Sequence, residues 1–336
     1  MNRLKDQLGT ASRALPAALL LCLALRSAPA AAPQFSSDAA GTAGAQFLKM
    51  AVGARPAALG EAYAAVADDA FALDWNPAGL INIAETSLAL MHSPYLAGSN
   101  LDFFAYAENA GEVGAWGLAA KRMAYGKIKR TDSAGQETGS FEPTDTAFSV
   151  GLACYISSFN KDPEERFVLG ATGKIVRSNI VSSDNTLSAD VGILTPLYFD
   201  GSFRMGLAAQ NVMGSLRFDK DETPLPLLLR FGTMTRFGRH AMLTADLVGA
   251  KDHLPFLAAG AEVRISPSKT SDIFLRGGFN TRAVGDLTGL RDVALGAGTR
   301  FGDYTVDYAF SPFGDLGAVH RLSVTVSFRR PRSERD

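Results

Sequence analysis

The chain has 336 residues, of which 47% are hydrophobic and 20% are charged, and its formal net charge is −1 at pH 7. This length and composition allow a large core in one or two domains and exclude a disordered chain. The near-neutral charge gives no indication of a nucleic-acid partner. A mean hydropathy of +0.06 is low for a helical membrane protein.

The first 32 residues have the three parts of a secretory signal peptide. The start is basic, an apolar run covers Ala14–Leu25, and small residues follow at Ala28–Ala32. That run is too short to cross a bilayer as a helix. We therefore predict cleavage after Ala30 or Ala32. Cleavage removes four basic residues and one acidic residue, so the formal charge of the mature chain becomes −4. Only Cys154 remains, which excludes an intramolecular disulfide bond.

Residues 33–84 form an alanine- and glycine-rich segment ahead of the first predicted strand. Pro56 can lie in the first turn of a helix, whereas Pro77 ends any helix and Gly79 provides a turn. One interpretation is an ordinary alanine-rich helix that is capped by a turn. The other is a hatch that folds into the lumen of a barrel formed by the rest of the chain.

From Thr86 onward, apolar residues alternate with small or polar residues, which is typical of β-strands. We predict about fourteen strands, most of them about ten residues long, which is the length that a tilted strand needs to cross a bilayer. The predicted strands are Thr86–Tyr95, Leu101–Ala110, Gly114–Tyr125, Thr146–Ser157, Arg166–Ser178, Thr186–Leu197, Phe203–Val212, Pro226–Phe237, Ala241–Val248, Pro255–Ile265, Asp272–Phe279, Arg291–Phe301, Tyr304–Phe310 and Arg321–Phe328.

Two features favour a membrane barrel over a soluble sandwich or propeller, which would also give alternating strands. Short connections tend to alternate with long ones, as in outer-membrane barrels. One strand face is apolar along its length, and the other carries polar residues, which a soluble barrel would reverse. These polar residues are Asp190, Arg204, Gln210, Arg230, Asp246, Glu262, Arg276 and Asp307.

The fold class expected from these patterns is all-β, a single transmembrane antiparallel β-barrel of about 14 strands with an N-terminal luminal hatch that contains short helical segments. We predict a signal peptide at 1–32, the hatch at 33–84, the barrel at 85–328 and a basic tail at 329–336. A barrel of this width leaves a lumen, which conducts unless something blocks it. The expected location is the bacterial outer membrane, with its lipids as partners.

Several motifs in the hatch resemble those of a known family. Leu59-Gly60, Ala62-Tyr63, Ala67-Asp68-Asp69-Ala70 and Asn76-Pro77-Ala78 look, in this order, like the N-terminal hatch of FadL-type outer-membrane transporters. The run from Gly41 to Lys49, continuing to Gly79-Leu80, resembles more closely the PorV/PorQ family of this FadL/TodX-type superfamily. Phe328, at the end of the last predicted strand, resembles the C-terminal assembly signal of such proteins, although residues 329–336 follow it.

The resemblance implies three alternative functions. The first is a passive channel or binding protein for hydrophobic small molecules. The second is an accessory of type IX protein secretion that receives exported cargo, with secretion components as partners. The third is a structural barrel without transport. The apolar hatch residues either anchor the plug or line a ligand pocket, and the candidate ligand or hatch residues are Phe47, Leu48, Tyr63, Phe71, Trp75, Asn76, Pro77, Ala78 and Gly79.

We expect no catalytic site, cofactor or metal site. The four histidines lie far apart, and no known catalytic motif is present. Asp68, Asp69 and Asp74 lack the glycine and the closing acid of a calcium loop, so we interpret them as solvated or paired in the lumen. Gly296–Gly298 lies within a predicted strand, and we interpret it as small residues at a barrel bend.

Overall fold

The computed structural model describes residues 35–36, 39–156, 166–180, 182–218, 221–282 and 292–328. The strands are β1 (Thr86–Pro94), β2 (Asn100–Asn109), β3 (Ala115–Ala124), β4 (Ile128–Thr131), β5 (Glu137–Phe141), β6 (Thr144–Ile156), β7 (Phe167–Asn179), β8 (Ser183–Leu194), β9 (Phe203–Gln210), β10 (Ser215–Phe218), β11 (Asp221–Pro224), β12 (Leu228–Phe237), β13 (Ala241–Ala250), β14 (Phe256–Ile265), β15 (Ser271–Asn280), β16 (Val293–Phe301), β17 (Tyr304–Pro312) and β18 (Ala318–Phe328). The helices are α1 (Ala54–Ala58) and α2 (Ala72–Trp75), with 3₁₀ turns at Gln46–Lys49, Pro77–Asn82, Leu96–Gly98, Gly111–Val113 and Gly314–Leu316.

Fourteen of the described strands close into one antiparallel barrel. Each barrel strand pairs with the barrel strands before and after it, and β1 pairs with β18, with Thr86 opposite Phe328 and His92 opposite Leu322. The predicted barrel is therefore confirmed, and each of the fourteen predicted strands is present with ends that shift by a few residues. Two hairpins, β4–β5 and β10–β11, were not predicted. They lie within the long connections and lack the alternation that marks the barrel strands.

The barrel wall is apolar outside and polar inside. In β7 every second residue is exposed along all 13 positions, and outward side chains such as Leu152 (62% exposed) and Leu187 (67% exposed) face away from the lumen. The eight polar residues predicted for the inner face are all buried. An apolar exterior of this kind is stable in the hydrocarbon core of a bilayer, so the barrel is a transmembrane one.

The two ends of the barrel differ in their connections. At the end where Thr86 and Phe328 lie, called here the terminal end, the described turns include the short connections 238–240 and 302–303. The opposite end, called the loop end, carries the hairpins β4–β5 and β10–β11. Exposed aromatic residues mark the terminal end, as in the girdles of membrane barrels; they include Phe237, Phe301, Tyr304 and Phe328.

Within the described residues, the two α-helices precede β1 and have five and four residues. Among the described residues, no helix is long and apolar enough to span a bilayer. The barrel strands begin at Thr86 and end at Phe328, next to the predicted limits 85 and 328. The predicted signal peptide (1–32) and basic tail (329–336) lie outside the described residues, as does the predicted cleavage site.

Candidate functional site

Residues 39–84, called here the hatch, lie inside the barrel. Helix α1 packs against β15 to β18, and the 3₁₀ turn Pro77–Asn82 packs against the other side of the wall, on β2, β3 and β6 to β8. Two short helices are found instead of one alanine-rich helix. Helix α1 ends because Gly60 (φ 65°) and Glu61 (φ 73°) both adopt left-handed conformations.

Helix α2 ends at Trp75, and Asn76 before the proline is extended, so Pro77 ends a helix as predicted. It also starts the 3₁₀ turn that follows. The Asn76 side chain accepts a hydrogen bond from the Ala78 N–H at 3.2 Å and donates one to the Ala64 carbonyl at 2.7 Å. Gly79 has no positive φ. A Cβ there would lie 2.5 Å from the carbonyl oxygen of Ala67. Close packing therefore requires this glycine, and a left-handed backbone conformation does not.

A belt of glycines on the inner wall allows the hatch backbone to lie directly against the strands. A Cβ on Gly170 would lie 2.1 Å from the Ala78 nitrogen, and one on Gly278 would lie 2.0 Å from the Gly60 nitrogen. Real side chains do not occur at such distances, so these positions admit glycine alone. The belt consists of Gly117, Gly151, Gly170, Gly192, Gly206, Gly232, Gly260, Gly278 and Gly296. Gly296 belongs to this belt, because a Cβ there would meet the Cβ of Ala58 at 2.4 Å, and its predicted place at a barrel bend stays a prediction.

Polar side chains of the wall satisfy backbone groups of the hatch. A carboxylate oxygen of Asp246 accepts hydrogen bonds from the Tyr63 and Ala64 N–H groups at 3.1 and 3.0 Å. Arg204 donates to the carbonyl of Ala65 at 2.9 Å and to that of Val66 at 3.0 Å. These wall groups replace the hydrogen bonds that an irregular buried backbone cannot make within itself.

A second set of tethers holds the hatch at α2 and at its N-terminal part. Lys121 donates to the carbonyl of Met50 at 2.8 Å and pairs with Asp74 at 3.0 Å. At the loop end, Lys49 pairs with Asp252 at 2.8 Å. Together with Asp246 and Arg204, these contacts fix the hatch from several directions around the lumen.

All nine sequence-predicted residues of the hatch are buried, and the structure brings most of them into one apolar core. The Phe71 ring stacks on Phe103 at 5.5 Å, and Tyr63 meets Trp75 edge to face at 6.0 Å. The Trp75 indole donates to the carbonyl of Val52 at 3.0 Å. Neither of the two luminal cavities described below is lined by any of the nine. Their observed contacts are those of an anchored plug, and a ligand-binding role stays a prediction.

Below the hatch, at the terminal end, an ionic chain joins the hatch to three strands. Arg55 in α1 pairs with Glu262 at 2.8 Å. Arg276 bonds to the same carboxylate and to Asp307, both at 2.6 Å. The chain lines a polar cavity of about 440 Å³ that opens toward the terminal end. The guanidinium and carboxylate groups satisfy one another's charges and hydrogen bonds. We therefore interpret this region as a structural link between the hatch and the wall and not as a binding site.

Asp68 and Asp69 face this cavity and have protein donors. Arg55 bonds to Asp68, and the Tyr63 hydroxyl donates to Asp69 at 2.8 Å. The Phe71 N–H also donates to Asp69, at 3.0 Å. Burial, together with the neighbouring charge of Asp68, raises the pKa of Asp69 to about 7. The carboxylates are thus paired in the lumen, as we predicted from the sequence.

At the loop end, a smaller cavity of about 60 Å³ lies between the hatch and β15 to β18. Glu61 of the hatch and Arg282 of the wall form an ion pair at its edge. Arg321 of β18 also lines the cavity and is 3% exposed. This cluster contains no residue that the sequence analysis selected as a candidate.

Sequence reasoning missed the wall residues that hold the hatch. It placed Asp246 and Arg204 on the inner face but gave them no partner, and it did not consider Lys121. The sequence contains one signal for such residues. It is a polar residue or a glycine at the inward-facing positions of a strand whose outward-facing positions are apolar. That signal marks the lumen, but it does not show which hatch atom each residue contacts.

Comparison with known proteins supports the fold. A family model described as an uncharacterised protein family (UPF0164) matches residues 24–155. No curated protein matches the chain. Among solved structures, the CymD monoaromatic hydrocarbon channel has a TM-score of 0.55 and 13% sequence identity, over 83% of this chain and 98% of that chain. The Pseudomonas putida toluene transporter TodX has a TM-score of 0.51 and 9% identity, over 80% and 96%.

At this level of identity, the similarity concerns the fold. The resemblance to the FadL/TodX group is confirmed in that sense, because the same barrel architecture covers nearly the whole of both solved chains. The narrower PorV/PorQ assignment stays a prediction. The expected outer-membrane location agrees with the closed antiparallel barrel and its apolar exterior.

Proposed function

We propose that the protein is an outer-membrane channel or binding protein for hydrophobic small molecules, with a lumen that the hatch closes. The observation that carries this proposal is the occupied lumen of a closed 14-strand barrel. Solved structures with this fold include a monoaromatic hydrocarbon channel and a toluene transporter. These two names suggest the class of solute.

The physical argument concerns what a hatched barrel excludes. An open barrel of 14 strands would leave a water-filled lumen that conducts ions. The glycine belt brings the hatch backbone into contact with the wall, and the tethers satisfy its polar groups, so little space remains for hydrated ions. An apolar solute pays no such dehydration cost and needs only a local displacement of small side chains.

Flux and conductance in liposomes test this function. The native protein is expected to move toluene across the membrane and to conduct few ions. Deletion of residues 33–83 is expected to raise ion conductance to that of an open barrel. Unchanged conductance in the deletion would show that the segment does not close the lumen, and absence of toluene flux in the native protein would contradict the channel.

A double substitution in the hatch turn gives a finer test. Pro77→Ala with Gly79→Val places a branched side chain at residue 79, where even a single Cβ would lie 2.5 Å from Ala67. We expect altered toluene flux from an assembled barrel. Gly173→Val is the matched control, because no atom lies within 4 Å of its Cβ position. Equal flux in both variants would argue against a role of this turn.

A role as an accessory of type IX protein secretion is the second candidate. The many tethers favour it, because a hatch held by Asp246, Arg204, Lys121 and Arg55 suits a closed platform that needs no gating. Its loop end carries the hairpin β4–β5, whose residues are nearly all exposed. Capture of secreted proteins from periplasmic extract without toluene flux would favour this role. A barrel that does neither would be structural.

A further inference from the structure

The small loop-end cavity is lined by a buried guanidinium that forms no ion pair within the part of the chain that the structure describes. Arg321 is 3% exposed, and its Nη1 donates to the Ser311 hydroxyl at 3.2 Å. Its Nε is buried and has no hydrogen-bond partner among the described residues. The guanidinium lies 5.8 Å from the centre of the Tyr95 ring. A buried guanidinium with so few partners is costly unless an anion completes its environment.

Among the described residues, no carboxylate lies within ion-pair distance of Arg321. Glu61 is the hatch carboxylate in this cluster, and it already pairs with Arg282. Burial opposes the ionisation of Glu61, but the charges of Arg282, Arg230 and Arg321 outweigh this effect and lower its pKa. Glu61 is therefore shared by Arg282, Arg321 and Arg230, of which Arg230 also lies near Asp246. Asp292, which also lines the cavity, has an interaction of its own.

The size and the rim of the cavity define what fits. Its volume of about 60 Å³ holds roughly two water-sized groups, which is the size of a carboxylate. Half-buried Tyr95 and Phe313 meet edge to face beside Arg321, with ring centres 6.2 Å apart. Pro312 adds apolar surface to the cavity wall. A planar guanidinium presents two parallel donors to a carboxylate, and aromatic rims favour an aromatic body.

We propose that this cavity binds the carboxylate of an aromatic acid, which enters from the loop end with its ring against Tyr95 and Phe313. Arg321 contacts the carboxylate, and the Glu61–Arg282 ion pair borders the cavity. The site names a solute class for the proposed channel and rests on that function for its biological meaning. Binding itself does not depend on transport.

Titration of the purified full-length protein in lipid nanodiscs with benzoate tests the site. We expect saturable binding of benzoate, with benzamide at least about tenfold weaker because it lacks the charge. Arg321→Gln is expected to weaken benzoate binding at least about tenfold, and Arg321→Lys to restore part of it. Arg300→Gln is the control, because this partly exposed arginine pairs with Asp272 at the terminal end.

Several results would overturn the proposal. Equal affinity for benzoate and benzamide would remove the role of charge, and unchanged benzoate binding in Arg321→Gln would remove the role of this arginine. Equal affinity for octanoate would refute the aromatic preference. Binding of chloride but not benzoate would show a simple halide site. Heat-dependent electrophoretic mobility checks that each variant is folded, and the lysine variant replaces the glutamine variant if the latter is not.

The site and the channel can fail separately. Toluene flux without benzoate binding would refute the site and leave the channel proposal intact. Benzoate binding without toluene flux would refute the channel and leave the site intact as a binding function.

Discussion

The wall and the hatch are stabilised in different ways. The wall strands satisfy their backbone groups on each other, in a ladder that runs unbroken from β1 to β18 and closes there. The hatch has only nine residues in α-helix, and side chains of the wall complete many of its hydrogen bonds, as Asp246 and Arg204 do. A wall of this kind is specified by its own pattern, whereas the hatch is specified by the surface that surrounds it.

The largest expected effect tests the orientation of the wall. Val324→Arg should lower the free energy of unfolding by about 2–4 kcal/mol, because it would place a charge on the lipid face near the bilayer midplane. Thr325→Arg should cost much less, since Thr325 lines the polar terminal-end cavity. Urea titration in lipid bilayers measures both. Equal losses would contradict the assigned faces of β18.

The next effect tests the contact between wall and hatch. Gly170→Val should weaken hatch docking by about 1–3 kcal/mol or displace the hatch, because a Cβ there would lie 2.1 Å from the Ala78 nitrogen. Gly173→Val on the same strand faces open space and should be close to neutral. Ion conductance in planar bilayers reports displacement of the hatch. Similar conductance in the two variants would mean that the belt does not control docking.

A comparable or smaller effect tests one tether. Asp246→Ala would leave the Tyr63 and Ala64 N–H groups without their acceptor and should cost about 1–3 kcal/mol of local stability. Hydrogen exchange should then accelerate at these two amides and not in β13 as a whole. Asp246→Asn keeps one acceptor oxygen, so its exchange rates at these two amides should lie between those of the native protein and the alanine variant. Unchanged exchange in the alanine variant would show that the tether adds no stability.

The smallest expected effect is a dependence of hatch docking on pH. The pKa of Asp69 is raised to about 7 in the docked hatch, whereas a released aspartate has an ordinary pKa near 4. Between these values the docked form binds more protons, so docking should weaken as the pH rises from about 4 to about 7. The charge of Asp68 contributes to the raised pKa of Asp69, and the charge of Arg55 opposes it.

Opening frequency in single-channel recordings, measured across this pH range, tests the dependence. Asp69→Asn keeps an acceptor for the Tyr63 hydroxyl but cannot ionise, so its opening frequency should not vary with pH. An identical pH profile in the two proteins would assign the dependence to another group.

The strands and the inner polar residues were predictable, because the period-two pattern is set locally and a bilayer-facing wall cannot relax it. The hatch was predictable as a plug from the width of the barrel. Its internal structure was not, as two residues show. Pro77, predicted only to end a helix, also begins a 3₁₀ turn, and Gly79, predicted to provide a turn, is required by close packing.

The loop-end cluster was hidden for another reason. Glu61, Arg282 and Arg321 are separated by up to 260 residues along the chain, and no local pattern relates them. The sequence by itself determined the barrel class, the strand faces and the presence of a segment that must fill the lumen, because alternation and strand length act between near neighbours. Only the tertiary structure decided which glycine touches which hatch atom and which charges meet, because closure of the ladder brings distant strands around one short segment.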